Sequence, residues 1–415
     1  MAPKQSGRRK FLKEGAALAG MAVSLHRLAS GQTVQVAISE ATIGERSGYG
    51  ERSQFEKSLR TTSFGDTLHT PLEDLVGIIT PSALHYTVTE GKSALNIDPA
   101  QHRLMIHGMV DRPLIFTMDE LKRLPSVSRI YFLECVANSS PTTSGGLATR
   151  PRVQETHGRM GCAEWTGVAL SLLLKEAGLK NGASWVLAEG ADERKHTTSL
   201  PLEKAMDDVI LAYGQNGEAV RPENGYPLRL MIPGWEGVRN IKWLRRIKVV
   251  DQPYMAHRET VASPSLRLDG KARWFQFEMG PKSVITRPSG GQRLPNRGFC
   301  EITGLAWSGG GAIQRVEVSA DGGRTWKDAE LQEPRLRFAH TRFRFDWNWN
   351  GEEAVLQSRC TDERGATQPS LAELGRIWGV SPDYWQSTSN SVIHFNAIHS
   401  WKVNRDGSVQ NAVFS

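Results

Sequence analysis

The chain has 415 residues and a formal net charge of +7 at neutral pH, long enough for two or three domains with ample cores. The charge does not point to nucleic acid: residues 1–30 hold Lys4, Arg8, Arg9, Lys10, Lys13 and Arg27 against Glu14, a net of +5 that leaves +2 for the remainder, and no basic low-complexity run follows. Four cysteines, at 135, 162, 300 and 360, lie far apart with no Cys-x-x-Cys and no Cys/His spacing suited to zinc or haem, which excludes a disulfide scaffold.

The first residues read as an address. Paired arginines in Gly7-Arg8-Arg9-Lys10-Phe11-Leu12-Lys13 precede an apolar run, Ala16 to Leu25, too short to span a bilayer, and small residues at Ala29-Ser30-Gly31 offer a cleavage region. The pattern looks like a twin-arginine signal over residues 1–30, a periplasmic export route for proteins that fold around a cofactor first; the plainer reading is a basic amphipathic helix. No later segment is apolar enough for a membrane span.

Residues 31–76 are polar and glycine-containing and read as an extended arm. From Gly77 the pattern becomes mixed α and β. Arg103 to Met109 alternates as a strand, and Thr117-Met118-Asp119-Glu120 is a capping box opening a helix through Leu124. The apolar, β-prone run Ile130 to Glu134 leads into Cys135, followed at once by polar residues. A second helix, Val168 to Ala177, places Leu172, Leu173 and Ala177 on one face and stops at Gly178. Trp185 to Ala188 is a strand, Pro201 suits a short helix through Met206, and Val209–Tyr213, Tyr226–Ile232 and Ile241–Val250 read as strands around the Asn216-Gly217 turn and a glycine-rich loop. Residues 77–265 thus form one α+β unit. Residues 266–415 change character. Ile302–Trp307, Arg315–Ser319, Phe343–Trp349 and Ala354–Cys360 are short strands separated by turn residues, without helices, which argues an immunoglobulin-like β-sandwich with Trp307, Trp326, Trp347 and Trp349 in its core.

Cys135 carries the chemistry. A thiolate at the tip of a buried strand is well placed to hold a metal rigidly. Taken alone, the residue reads equally as a buried cysteine packing as a small hydrophobe. The ordered strings Gly77-Ile78-Ile79-Thr80-Pro81, Phe132-Leu133-Glu134-Cys135, Cys162-Ala163-Glu164-Trp165-Thr166-Gly167-Val168, Gly225-Tyr226-Pro227-Leu228-Arg229, Lys242-Trp243-Leu244-Arg245-Arg246 and Ser319-Ala320-Asp321-Gly322-Gly323-Arg324-Thr325-Trp326 decide between them. Together they make the chain resemble the sulfite-oxidase family of molybdopterin enzymes over residues 77–410, and within it the branch of bacterial sulfane (sulfite) dehydrogenases. The resemblance implies a molybdopterin-binding α+β fold, one molybdenum–molybdopterin cofactor (Moco) and a single protein ligand to the metal, Cys135. It also implies pterin contacts from Asp192, Asn224, Arg229 and the segment Asn240-Ile241-Lys242, and a homodimer formed through the C-terminal domain.

Departures bear on the substrate. Where family members place an arginine and a histidine after the Ile-Thr-Pro string, this chain has Val88, Thr89 and Glu90; an expected tyrosine is Ser263, and the cysteine motif reads Cys-Val-Ala-Asn. Losing a buried cation that pairs with an oxyanion typically costs about 2–5 kcal/mol, which weighs against free sulfite. Arg150, Arg152, His157, Arg159 and Arg239 are the nearby basic residues that would substitute, each also read as an ordinary solvated charge. The resemblance implies oxidation of a sulfur substrate (sulfane sulfur on a carrier protein, or sulfite) by oxygen-atom transfer, with electrons passed to a separate c-type cytochrome. The competing readings are a sulfoxide reductase of the same fold and a cofactor-poor paralogue serving as a binding subunit.

Overall fold

The computed structural model describes residues 50–62, 67–88, 94–139, 150–262, 264–266, 269–381, 384–385 and 394–413. The residues assigned to the export signal, and Thr89, Glu90 and Ser263, lie outside the described residues. From residue 58 onward the chain forms one compact unit.

Two five-stranded sheets build the cofactor half. In the first, strands run in the order Glu218–Ala219, Ile210–Gln215, Met160–Ala169, Ser126–Glu134, with Arg229–Met231 pairing antiparallel to Ile210–Gln215. The second runs Leu114–Thr117, Arg103–Gly108, Leu244–Val250, Trp185–Gly190, Thr197–Pro201, and its Arg103–Gly108/Leu244–Val250 pair is parallel. Alternation holds in Arg103–Gly108: Leu104 and Ile106 are fully buried while Arg103 and Met105 face outward. The strand Ser126–Glu134 differs. It starts exposed, but Tyr131, Phe132, Leu133 and Glu134 are all buried, so the chain runs from the surface into the interior and delivers Cys135 there.

Local signals are largely kept. Thr117 caps the helix Met118–Arg123, its Oγ1 accepting from Glu120 N–H while the Glu120 carboxylate accepts from Thr117 N–H at 2.8 Å. Asn216 and Gly217 turn the hairpin with φ of 52° and 76°, the pair of positive values that a two-residue hairpin turn needs. Three expectations change. The second helix spans Leu170–Ala177, because Val168 and Ala169 still belong to the preceding strand; its buried positions are Leu170, Leu173, Leu174 and Ala177, and Leu172 faces outward. The Tyr226–Ile232 strand shrinks to Arg229–Met231, since Gly225 adopts φ 113° and Pro227 has no N–H for a ladder. Residues 241–243 are likewise irregular, and the strand begins at Leu244.

The C-terminal half is a β-sandwich. One sheet runs Lys282–Arg287, Gly298–Trp307, Thr341–Trp349, Glu330–Leu331; the other runs Lys327–Asp328, Ile313–Ser319, Ala354–Asp362, Ser400–Val403, Val409–Asn411. Trp307 and Trp349 are buried in its core and Trp347 packs against it, while Trp326 sits outside under Arg359, 4.4 Å from the guanidinium carbon. The expectation of strands without helices fails at Leu371–Trp378, a helix that opens on a Ser370/Glu373 capping box and buries Leu374, Gly375 and Trp378.

Core packing does not respect the division into halves. One hydrophobic cluster runs from Leu72 and Leu75 through Phe132 and Trp165 to Trp307, Phe343 and Leu356 of the sandwich. Leu72, within the stretch read as an arm, is wholly buried in it. A second cluster, with Leu104, Leu173, Val186 and Ile247, fills the space beneath the other sheet.

Candidate cofactor site

A cavity of about 730 Å³ opens where these elements converge, with Cys135 in its wall. The thiol follows the last residue of its strand, and Cys135 N–H donates to Arg159 O at 2.9 Å, extending the pairing with the neighbouring strand by one step. Burial in the protein pushes the Cys135 thiol above its usual range, and the Arg159 guanidinium opposes that rise. Directly upstream, Glu134 is wholly buried and fully engaged: its carboxylate accepts from Lys282 Nζ at 2.6 Å, Trp307 Nε1 at 2.6 Å and Asn138 Nδ2 at 2.9 Å. Two of those donors come from the sandwich, so the loop bearing the thiol is clamped from behind by the other half of the molecule.

The opposite wall is cationic. Arg229, 1% exposed, donates to Asn224 O at 2.7 Å and lies 4.9 Å from the Trp165 ring, but its Nε has no partner and no carboxylate among the described residues pairs with it. Burial lowers its pKa to about 10. Lys242 Nζ donates to the carbonyls of Glu223 (2.7 Å) and Val88 (3.1 Å), and burial, followed by the Arg229 charge, brings it down to about 7. Backbone geometry makes these approaches possible. A Cβ on Gly225 would lie 3.0 Å from Lys242 Cα, and Trp243 takes φ 51°, which lets Lys242 and Trp243 both line the cavity.

Of the residues expected from the sequence, Cys135, Asp192, Asn224, Arg229, Asn240 and Lys242 all line this one cavity. Asn240 is also a structural brace, its Oδ1 accepting from Ile232 N–H and its Nδ2 donating to Glu236 O. Ile241 does not line the cavity. Its side chain is buried in the second hydrophobic cluster, and its carbonyl accepts from Leu230 N–H. Among the proposed substitute cations, Arg159 alone lines the cavity. Arg239 is consumed by an ion pair with Glu259 at 2.9 Å, Arg152 lies 3.7 Å from Glu73, and His157 packs edge-on against His399. Sequence reasoning missed Arg194, His196 and Arg258, which reach the cavity from the loop after Trp185–Gly190 and from the segment Arg258–Ala262.

These residues fit an anionic, metal-bearing group. Buried guanidinium and ammonium groups without carboxylate partners are costly unless a ligand supplies the opposite charge. Arg229, with its orphaned Nε, and Lys242 are of that kind. A single thiol with no cluster of other His, Cys, Asp or Glu ligands among the described residues suits a metal whose remaining ligands come with its own organic cofactor.

Comparison with known proteins agrees. Residues 90–258 match the family model described as "Oxidoreductase molybdopterin binding domain", and residues 273–391 match "Mo-co oxidoreductase dimerisation domain". The solved sulfane dehydrogenase SoxCD from Paracoccus pantotrophus superposes with a TM-score of 0.81 and 39% identity, covering 92% of this chain and 95% of that one. Mitochondrial sulfite oxidase of Mus musculus is 31% identical over 346 residues, covering 76% of this chain and 62% of the relative. The NADH nitrate reductase of Ulva prolifera is 34% identical over 345 residues, 71% of this chain but 38% of that protein's length. Fold and site together define a molybdopterin-dependent oxidoreductase, with molybdenum–molybdopterin as its cofactor. More narrowly, the chain belongs to the sulfite-oxidase family.

Proposed function

We propose that this chain oxidises a sulfur substrate, sulfane sulfur or sulfite, in the periplasm after twin-arginine export, and passes the electrons to a c-type cytochrome partner. The observation that carries this reading is the meeting of Cys135 with Asp192, Asn224, Arg229, Asn240 and Lys242 in one cavity. The near full-length similarity to a sulfane dehydrogenase supports a sulfur substrate over the nitrate of the more partial relatives. Cys135 is the protein's ligand to the metal. When bound, the cofactor supplies the two-electron chemistry by which oxygen from water is added to sulfur, two protons leaving with each oxygen.

The chain's own residues do the rest. Arg229 and Lys242 neutralise the anionic pterin end, and Asp192 and Asn224 offer hydrogen-bond partners to its heterocycle. Glu134, held by Lys282 and Trp307, fixes the backbone that carries the thiol. Tyr86, Val88, Leu133, Val136 and Ala137 give the thiol wall a largely apolar lining that limits water. The sandwich supports a homodimer, in keeping with its dimerisation-domain match. The test is to purify the periplasmic protein, measure molybdenum and pterin, and follow reduction of a c-type cytochrome with sulfite, thiosulfate or carrier-bound sulfur. Reduction by one of them supports the proposal. A metal-free preparation from molybdate-fed cells, or a loaded enzyme inert toward all three, overturns it.

A further inference from the structure

We propose that Arg159 is the oxyanion-recognising residue at the reacting end of the cavity, presented across the strand pair from Cys135 and held by His69. The inference rests on the sulfur-oxidation reading above and adds the group that meets the charge. Adding oxygen to sulfur ends in an oxyanion, and an oxyanion in an apolar pocket needs a cation or donors to be stable. Val88, at a position where the family resemblance implies a cation, lines the cavity with an apolar side chain.

Arg159 fills the gap from another element. Its backbone is fixed on both sides, the carbonyl accepting from Cys135 N–H at 2.9 Å and the N–H donating to Asn138 Oδ1 at 3.0 Å. Its side chain is tethered once, by Nε donating to His69 Nε2 at 3.2 Å. Because that nitrogen accepts, the imidazole is neutral with its proton on Nδ1. Burial and then the Arg159 charge hold His69 down to about 4, so it stays neutral in the working range. No carboxylate among the described residues pairs with the guanidinium, and the residue is partly buried in the cavity lining.

A guanidinium anchored through Nε keeps both terminal nitrogens free, the geometry that meets two oxygens of a sulfonate or sulfate group in parallel. Arg150 does not duplicate the role, since it is outside the cavity lining. The ligand chemistry is therefore a sulfur oxyanion, either free or carried as an S-sulfonated cysteine on a protein.

The experiment is calorimetric titration of the purified protein at fixed ionic strength, in one arm with sulfate and in the other with a short peptide bearing an S-sulfonated cysteine. Molybdenum and pterin are measured on the same samples. Arg159→Met is expected to weaken binding at least tenfold in whichever arm the wild type binds, with metal and pterin content unchanged. It should also raise KM for the working substrate more than it lowers kcat. Arg159→Lys, which keeps the charge but not the fork, should bind severalfold more weakly and serves where methionine compromises folding. His69→Leu should weaken binding, and His69→Gln, which can still accept from Nε, should restore most of it. Peptide binding without sulfate binding identifies the carried oxyanion; the reverse identifies the free one. Wild-type protein that binds neither, Arg159 variants that bind as wild type, or an Arg159→Met protein that loses its pterin each overturn the proposal. A wild type without molybdenum that still loses sulfate binding with Arg159→Met overturns the sulfur-oxidation reading and keeps Arg159 as the anion site.

Discussion

The two walls of the cavity are built on opposite plans. Behind the thiol the Glu134 carboxylate is answered within the protein, with Lys282, Trp307 and Asn138 as donors. The wall opposite leaves Arg229 and Lys242 answered by carbonyls alone. The first is complete before any ligand arrives, and the second is completed by one. Rigidity is thus invested where a metal must be held in one geometry, and unmatched charge is kept where an anion must be drawn in.

The thiol itself is where a substitution should cost most. Cys135→Ser should leave the fold intact while molybdenum content and turnover fall to background; metal retained at wild-type level would remove the ligand role. Next comes the clamp behind it. Lys282→Met strands a buried carboxylate and should cost about 3–5 kcal/mol in denaturant unfolding. Adding Glu134→Gln to that variant should recover most of the loss, and failure to do so would mean the pair matters by packing rather than charge. On the cationic wall, Arg229→Ala should reduce pterin retention about tenfold to a hundredfold, the value of about 1.5–3 kcal/mol for hydrogen bonds to a charged group. Chromatography of the released pterin checks this, and full occupancy would show that the buried guanidinium is structural.

The smallest effect concerns Glu236, wholly buried 3.7 Å from Arg239 with both carboxylate oxygens lacking hydrogen bonds. Burial raises it from 4.5 to about 8. The folded protein therefore keeps this proton at neutral pH while the unfolded chain has released it. Its contribution to stability is full below about pH 4.5 and is lost as the pH climbs towards 8. Glu236→Gln should flatten the pH dependence of unfolding between those values; an unchanged slope would show the carboxylate to be ionised and paired.

Much of the site was legible because its residues sit in strings whose local geometry explains them. Cys135 ends an apolar run that becomes a strand buried on both faces, and Gly225 permits the approach of Lys242 that the Gly-Tyr-Pro string brings about. What stayed hidden depends on register and on distant pairing. Arg159 faces Cys135 only because Glu134 pairs with Met160, a relation no spacing rule reveals. Lys282 and Trp307 meet Glu134 across more than a hundred residues, and their own strands read as ordinary sandwich strands. Two misses were avoidable. The i, i+3, i+4, i+7 spacing of Leu170, Leu173, Leu174 and Ala177 marks the true buried face of its helix, and the Ser370/Glu373 capping box announces the helix in the sandwich half.

The clamp on Glu134 also bears on how such proteins can be recombined. A chain cut short before Lys282 would shed both donors that the sandwich contributes and leave an anion with only Asn138 of its three partners, one residue from the thiol. Swapping either half with that of a relative is therefore expected to succeed only if the lysine, the tryptophan and the glutamate travel as a set, although they are scattered along the chain.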